Sequence, residues 1–436
     1  MKKSILSTAK ILIVLLGFSC SNVFSYDYLK TENDAVKDKE KYVIYKPSYD
    51  VPERLQWHQN YGYCWETSFI SIGLGLGQYT SQYKMRHLTH PHLQQSDPKS
   101  QLLLGVSRTE DIADKVHYKH SEYSECTSEA KNFLKWIKTQ LYKGHGVIIG
   151  VYLNENLFYK HQNSKETLCN YGKKKSSCLK EQSCVPNKDG QGFCEYGDPE
   201  YDHIVIVASL ATKKPCMDIN SCEYDDEDII TISDHGLYSS ECEYGNESMG
   251  CPGEQLKLCE QDFTSKYKYL YSYKFKDFLK SRKEANQIDG PVYSLSNMSY
   301  SGQNCLGNYG IAIHGLKGNS ELLPITVKVS KNFECDMIQE GTSSYYNVSG
   351  GSVRHDPIDL QVTVSGMEKG KKYNLYQYKK FKKVPDEAFN ANSENLVAEG
   401  KAKKWVIESA SGSITIIIKI KDNETAIFRA VAVDAK

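Results

Sequence analysis

The stretch that decides the reading of this chain is Gln59-Asn60-Tyr61-Gly62-Tyr63-Cys64-Trp65-Glu66-Thr67-Ser68, continued by Phe69-Ile70-Ser71-Ile72-Gly73-Leu74. The apolar run reads as a helix that begins directly after Cys64. Backbone N–H groups at a helix start carry partial positive charge, which favours thiolate over thiol. Cys64 is therefore a candidate nucleophile. A buried free cysteine, or a disulfide partner for another cysteine, remains open from spacing alone.

A thiolate nucleophile needs an imidazole as ion-pair partner and proton donor, and the imidazole needs an orienting acceptor. Asp202-His203-Ile204-Val205-Ile206-Val207 puts a histidine at the mouth of an apolar strand. Thirty residues on, Ile229-Ile230-Thr231-Ile232-Ser233-Asp234-His235 puts an acid at the end of the next one. If these strands are antiparallel neighbours, Asp234 can meet His203. A lone histidine at a strand mouth is ordinarily structural; the ordered triple Cys64, His203, Asp234 is much harder to dismiss.

That order, with the dipeptide Cys64-Trp65, resembles the papain-like cysteine peptidases, closest to the branch typified by bacteriocin-leader peptidases, whose third member is Asp. The Asn-Ser-Trp-Gly motif of papain proper is absent. Lys143-Gly144-His145-Gly146-Val147-Ile148-Ile149-Gly150 resembles the Gly-x-Pro-Val-Ile strand lead of the same branch. The match spans roughly residues 56 to 280. The resemblance implies peptide-bond hydrolysis through a Cys64 thioester, with His203 moving the proton and Asp234 holding the imidazole. It also implies an oxyanion site made by the Cys64 N–H and a glutamine, and no metal or cofactor. Such enzymes carry that glutamine six residues before the nucleophile. Here that position is His58, so Gln59 is the nearest candidate, then Asn60, with Gln56 eight before.

The start of the chain points to export. Lys2, Lys3 and Lys10, the apolar run Ile11 to Phe18 and Val23-Phe24-Ser25 read as a secretory signal peptide over residues 1–25, too short to span a membrane. The mature protein is expected to be secreted, with no transmembrane segment. Of the 14 cysteines, Cys20 leaves with the signal, and thirteen remain. With Cys64 free, the other twelve suffice for six disulfides, as suits an oxidising compartment. Zinc is the competing use of the cysteine-dense stretches, but paired CxxC knuckles are missing and disulfides are favoured. Sequons at Asn246, Asn297, Asn347 and Asn423 add mild support for a glycoprotein.

The 436 residues accommodate two or three domains, and 40% apolar with 25% charged residues is a globular composition. Lys+Arg and Asp+Glu both number 54, so no global field gathers nucleic acid, and a peptide or protein substrate is the expected partner. Residues 26–54 read as a lead segment. Residues 55–289 form the papain-like domain, helices first, then the strands Val147–Val151, Ile204–Val207 and Ile229–Ile232. Cysteine-rich insertions cover 169–194 and 216–259. Residues 290–436 alternate as strands and read as an immunoglobulin-like β-sandwich, for an α+β fold overall.

Three weaker features have plainer readings. His87, His90 and His92 have metal-ligand chemistry, but Pro91 interrupts any helix that would align them, so a surface loop is expected. Leu74-Gly75-Leu76-Gly77 lies in a helix pattern and reads as close packing rather than a phosphate loop. Other thiol acyl transfer, by an amidase or transglutaminase-like enzyme, would use the same triad. A catalytically silent extracellular binding protein is the rival from another class.

Overall fold

The computed structural model describes residues 42–52, 54, 56, 63–95, 97, 100, 109–123, 130–153, 168–169, 182–186, 192–196, 203–234, 270–278, 293–294, 308–318, 321–330, 357–386, 389–421 and 423–434. In chain order, strand β1 (Val43–Tyr45) precedes helix α1 (Cys64–Gly75), strand β2 (Gln78–Tyr79), helices α2 (Gln82–Thr89) and α3 (Thr109–Lys115), strand β3 (Tyr118–Tyr123), helix α4 (Ala130–Tyr142) and strand β4 (Gly146–Leu153). The short strands β5 (Leu168–Cys169), β6 (Gln182–Pro186) and β7 (Gly192–Tyr196) make a separate sheet. There follow β8 (His203–Thr212), β9 (Ile229–Ser233), β10 (Leu270–Lys274), the single turn α5 (Phe275–Phe278), β11 (Tyr293–Ser294) and β12 (Gly310–Leu316). The remainder is β13 (Ile325–Val329), β14 (Pro357–Ser365), β15 (Lys372–Tyr378), α6 (Phe389–Ala398), β16 (Ala402–Glu408), β17 (Ser413–Lys421) and β18 (Ala426–Ala432). Helices and antiparallel sheets are mixed along the chain, an α+β arrangement.

The largest sheet runs β10-β9-β8-β4-β12-β3, with β1 on β8 and β11 on β4, all antiparallel. β8 and β9 are buried almost throughout, which is why their sequences read as continuous apolar runs rather than alternating ones. α1 and α4 both pack on β8. α1 is buried from Trp65 to Gly75, so it lacks the polar face of a surface helix. At its end a Cβ on Gly75 would lie 1.7 Å from the Asp50 carbonyl oxygen, and Gly77 turns the chain with φ +73°. The Leu74–Gly77 stretch is thus a packing and turning device, as expected.

Two boundaries differ from the expected ones. The described part of the lead segment, residues 42–52, is packed into the sheet: β1 pairs with the end of β8, and the Tyr49 hydroxyl donates to the Ile313 carbonyl (2.9 Å) and accepts from the Gly146 N–H (3.1 Å). The division expected at residue 290 does not hold either. β12 lies between β3 and β4 in the largest sheet, so Ile311-Ala312-Ile313 belongs with His203 and not with the C-terminal strands. An alternating strand carries no mark of which sheet it joins, and that is the physical reason for the error. Conversely, β2 pairs with β18, which completes the four-stranded sheet β16-β15-β18-β2 beside the three-stranded sheet β13-β14-β17. Buried side chains from all these sheets belong to one hydrophobic cluster. Helix α6 and strand β16 were not foreseen.

Cys216 and Cys222 are disulfide-bonded in the turn between β8 and β9. Cys184 and Cys194 stand opposite each other in the backbone register of β6 and β7. The signal region, Asn246, Asn297 and Asn347, and Cys126, Cys178, Cys242, Cys251, Cys259, Cys305 and Cys335 lie outside the described residues. Among the described residues no helix is long and apolar enough to cross a membrane.

Candidate active site

Antiparallel pairing of β8 and β9 puts Ile206 opposite Ser233. Continued by one residue, this register sets Asp234 opposite Val205, so Asp234 shares a sheet face with His203 two residues away, within diagonal reach. The side chains meet there: His203 Nε2 lies 2.8 Å from Asp234 Oδ1, with exposures of 4% and 0%. A buried carboxylate is tolerated only when paired and hydrogen-bonded, and the imidazole supplies both.

Cys64 is the first residue of α1, which packs against β8 and brings the thiol close enough to His203 to act on the charge of its imidazole. Because Asp234 takes Nε2, the other ring nitrogen is left for sulfur. Cys64 is partly buried and not disulfide-bonded, so of the two alternatives left open by its spacing the disulfide partner falls away. Burial alone would lower the His203 pKa. The Asp234 charge and hydrogen bond, together with the interaction with Cys64, overcome it and push the value up to about 10. The imidazolium is thus the stable form of His203 at neutral pH, held between Asp234 and Cys64.

The start of α1 is unusual. Tyr63, its N-cap residue, has φ −129° and ψ 28° and makes no side-chain cap hydrogen bond. The Cys64 N–H is among the first-turn donors with no acceptor inside the helix. Ser68 Oγ donates back to the Cys64 carbonyl at 2.8 Å. Of the glutamines weighed for the oxyanion, Gln59 lies outside the described residues, as does Asn60, while Gln56 is 3% exposed.

Residues that sequence reasoning passed over line the same place. Glu66, 1% exposed in the first turn of α1, accepts from Arg86 Nε at 2.6 Å, and the Arg86 guanidinium lies 3.6 Å from the centroid of the Tyr63 ring. Burial would lower the Arg86 pKa, but Glu66 and the nearby Tyr63 and Cys64 hold it above its ordinary value. The Tyr63 hydroxyl donates to Gln95 Oε1 (2.7 Å) and Thr67 Oγ1 to Gln82 Oε1 (2.8 Å). The segment Arg86 to His92 was expected as a surface loop, yet α2 extends through Thr89 with Arg86 inside. The available signal was Glu66 itself, a carboxylate within an apolar helix that calls for a buried cation. Among the described residues no group of three His, Cys, Asp or Glu is arranged to hold a metal ion.

Compared with models of known protein families, the chain matches none, and no curated protein matches it in sequence.

Proposed function

We propose that this protein is a secreted thiol hydrolase that cleaves peptide bonds, with Cys64 as nucleophile, His203 as proton carrier and Asp234 as the group that orients the imidazole. One observation carries the reading: three side chains far apart in sequence converge, a thiol at a helix start beside an imidazole that is hydrogen-bonded to a buried carboxylate. The order and geometry support likeness to a papain-like cysteine peptidase of the Cys-His-Asp type, with strands β13 to β18 read as an immunoglobulin-like sandwich. The bonded pair Cys216–Cys222 and the leader-like residues 1–25 support export.

In this reading the thiolate adds to the scissile carbonyl carbon, and the oxygen takes the electron pair and a hydrogen bond from the Cys64 N–H. Collapse breaks the C–N bond, and the His203 imidazolium gives its proton to the leaving amine. The neutral imidazole then takes a proton from water, whose oxygen adds to the thioester carbon. The carbon–sulfur bond breaks, the product is a carboxylic acid, and the thiolate–imidazolium pair is restored. Throughout, Asp234 keeps one ring nitrogen protonated, so the ring presents its other nitrogen to the reacting atoms.

The test is iodoacetamide labelling of the non-reduced protein from pH 5 to 8 with peptide mapping. Cys64 is expected to label rapidly at pH 5 to 6, where an ordinary thiol with a pKa of ~8.5 barely reacts, and to lose this reactivity in His203→Ala. Labelling no faster than an ordinary thiol would turn the reading toward a catalytically silent binding protein. A reactive Cys64 that forms a thioester but hands the acyl group to an amine instead of water would mark transglutaminase-like transfer, and one that releases an amine from a side-chain or non-peptide amide but leaves peptide bonds uncut would mark an amidase.

A further inference from the structure

Resting on the thiol-hydrolase reading above, we propose that Arg86 is a positioning residue for the nucleophile: its guanidinium clamps Tyr63, the residue before Cys64, and cancels the Glu66 charge that would oppose a Cys64 thiolate. The helix start needs such a device. The N-cap residue Tyr63 makes no side-chain cap bond, so the start of α1 is held by the backbone bond from the Thr67 N–H to the Tyr63 carbonyl (2.9 Å) and by what seats the Tyr63 ring. That ring, 1% exposed, is covered by the guanidinium at 3.6 Å and held at its hydroxyl by Gln95. Stacking of a planar cation on an aromatic face restricts the ring in a way that a lysine ammonium would not.

The electrostatic half follows from the position of Glu66. It occupies the same helical turn as the nucleophile, and an uncompensated carboxylate there would raise the energy of a neighbouring thiolate. Arg86 is bonded to it at 2.6 Å, with both side chains 1% exposed, so water screens the pair little. The other ionisable groups that the described residues bring around Cys64 are His203 from β8, backed by Asp234 after β9, and the Tyr63 phenol. With Arg86 present, the thiolate meets the imidazolium and an ion pair of zero net charge. Without it, the thiolate faces a second anion.

The experiment is the pH profile of Cys64 alkylation by iodoacetamide from pH 4 to 9, beside thermal melting, in the full chain and in Arg86→Lys, Arg86→Gln, Glu66→Gln and the double Arg86→Gln/Glu66→Gln. Arg86→Gln is expected to move the low-pH limb upward by about one pH unit, so that below the parent limb the alkylation rate is about tenfold lower. Glu66→Gln should move the limb the other way, and the double variant should bring it back to within about threefold of the parent rate. Arg86→Lys should keep the limb near its place while lowering the pH-independent plateau, because charge is kept and the clamp on Tyr63 is lost. A purely structural ion pair would lower the melting temperature in every variant and leave the limb unmoved, which overturns the proposal. If Arg86→Gln does not fold, Glu66→Gln and the double decide alone, and coincident limbs in those two overturn it. A parent protein without a low-pH limb sinks the thiol-hydrolase reading as well, whereas a parent limb that ignores Arg86 and Glu66 sinks this inference only.

Discussion

At the residue scale, His203 and Asp234 are coupled through one buried hydrogen bond. The folded-state pKa of His203, about 10, lies above the ordinary 6.5, so the folded chain binds a proton that the unfolded chain releases between those values. The stabilisation is therefore fully present below about pH 6.5 and is lost as pH rises through 10. In His203→Gln this loss should disappear: urea unfolding at pH 6.5 and pH 9.5 should show a smaller drop in stability than in the parent, and equal drops would refute the assignment. Cys64, His203 and Asp234 were all legible in the sequence, because a thiol before an apolar run and polar residues at the ends of strands are local patterns. Arg86 was not. Its role depends on α2 crossing beside α1, and nothing local in Tyr-Lys-Met-Arg-His signals which neighbour will bury the guanidinium.

At the element scale, α4 illustrates how a helix is placed by one buried charge. Its apolar positions Phe133, Leu134, Ile137 and Leu141 are buried as the spacing predicts, but Lys138 shares that face at 0% exposure. Its ammonium donates to Asp228 Oδ2 (2.8 Å) and Thr212 Oγ1 (3.0 Å), tying α4 to the end of β8 and the start of β9. Burial raises the Asp228 pKa, and Lys138 opposes that rise. Lys138→Met leaves Asp228 buried without its cation, which should cost about 3–5 kcal/mol in chemical denaturation, whereas Lys138→Met with Asp228→Leu should recover most of the loss. An equally unstable double variant would mean that packing, not the stranded charge, is responsible. The helical spacing of Phe133, Leu134, Trp136, Ile137 and Leu141 predicts this helix, yet Trp136 is only half-buried, and the pattern leaves out the buried Lys138. Periodicity ranks residues by hydropathy, so a lysine with a buried acid as partner is invisible to it.

At the scale of the whole molecule, the C-terminal strands are built into the support of the candidate site. β2, immediately after α1, pairs with β18, Phe428 N–H donates to the Gly77 carbonyl (2.7 Å), and Thr80 and Thr425 hydroxyls meet at 2.9 Å in the interior. Arg429, 2% exposed, reaches the Leu76 carbonyl at the end of α1. His117, with φ 63°, bonds to both Phe381 O and Asp386 Oδ1. A chain cut after residue 289 would therefore lack both β12, the strand between β3 and β4, and the partner of β2. It is expected to show no cooperative thermal unfolding and no rapidly alkylated Cys64, while the full chain shows both. A folded, reactive 1–289 fragment would contradict the strand order β4-β12-β3 and the pairing of β2 with β18.

The sequence alone determined the elements and the chemistry carried at their ends: the helix after Cys64, the apolar strands opening at His203 and closing before Asp234, and the alternating strands of the last third. These are set by local hydropathy period and by which side chains can ionise, both properties of short windows. Only the tertiary structure decided that Ile311-Ala312-Ile313 joins the sheet of His203, that Gln78-Tyr79 joins the sheet of Ala426–Ala432, and that Arg86 turns inward onto Tyr63 and Glu66. Strand partnership and the pairing of buried charges are long-range choices. They depend on which surfaces remain uncovered once the rest of the chain has packed.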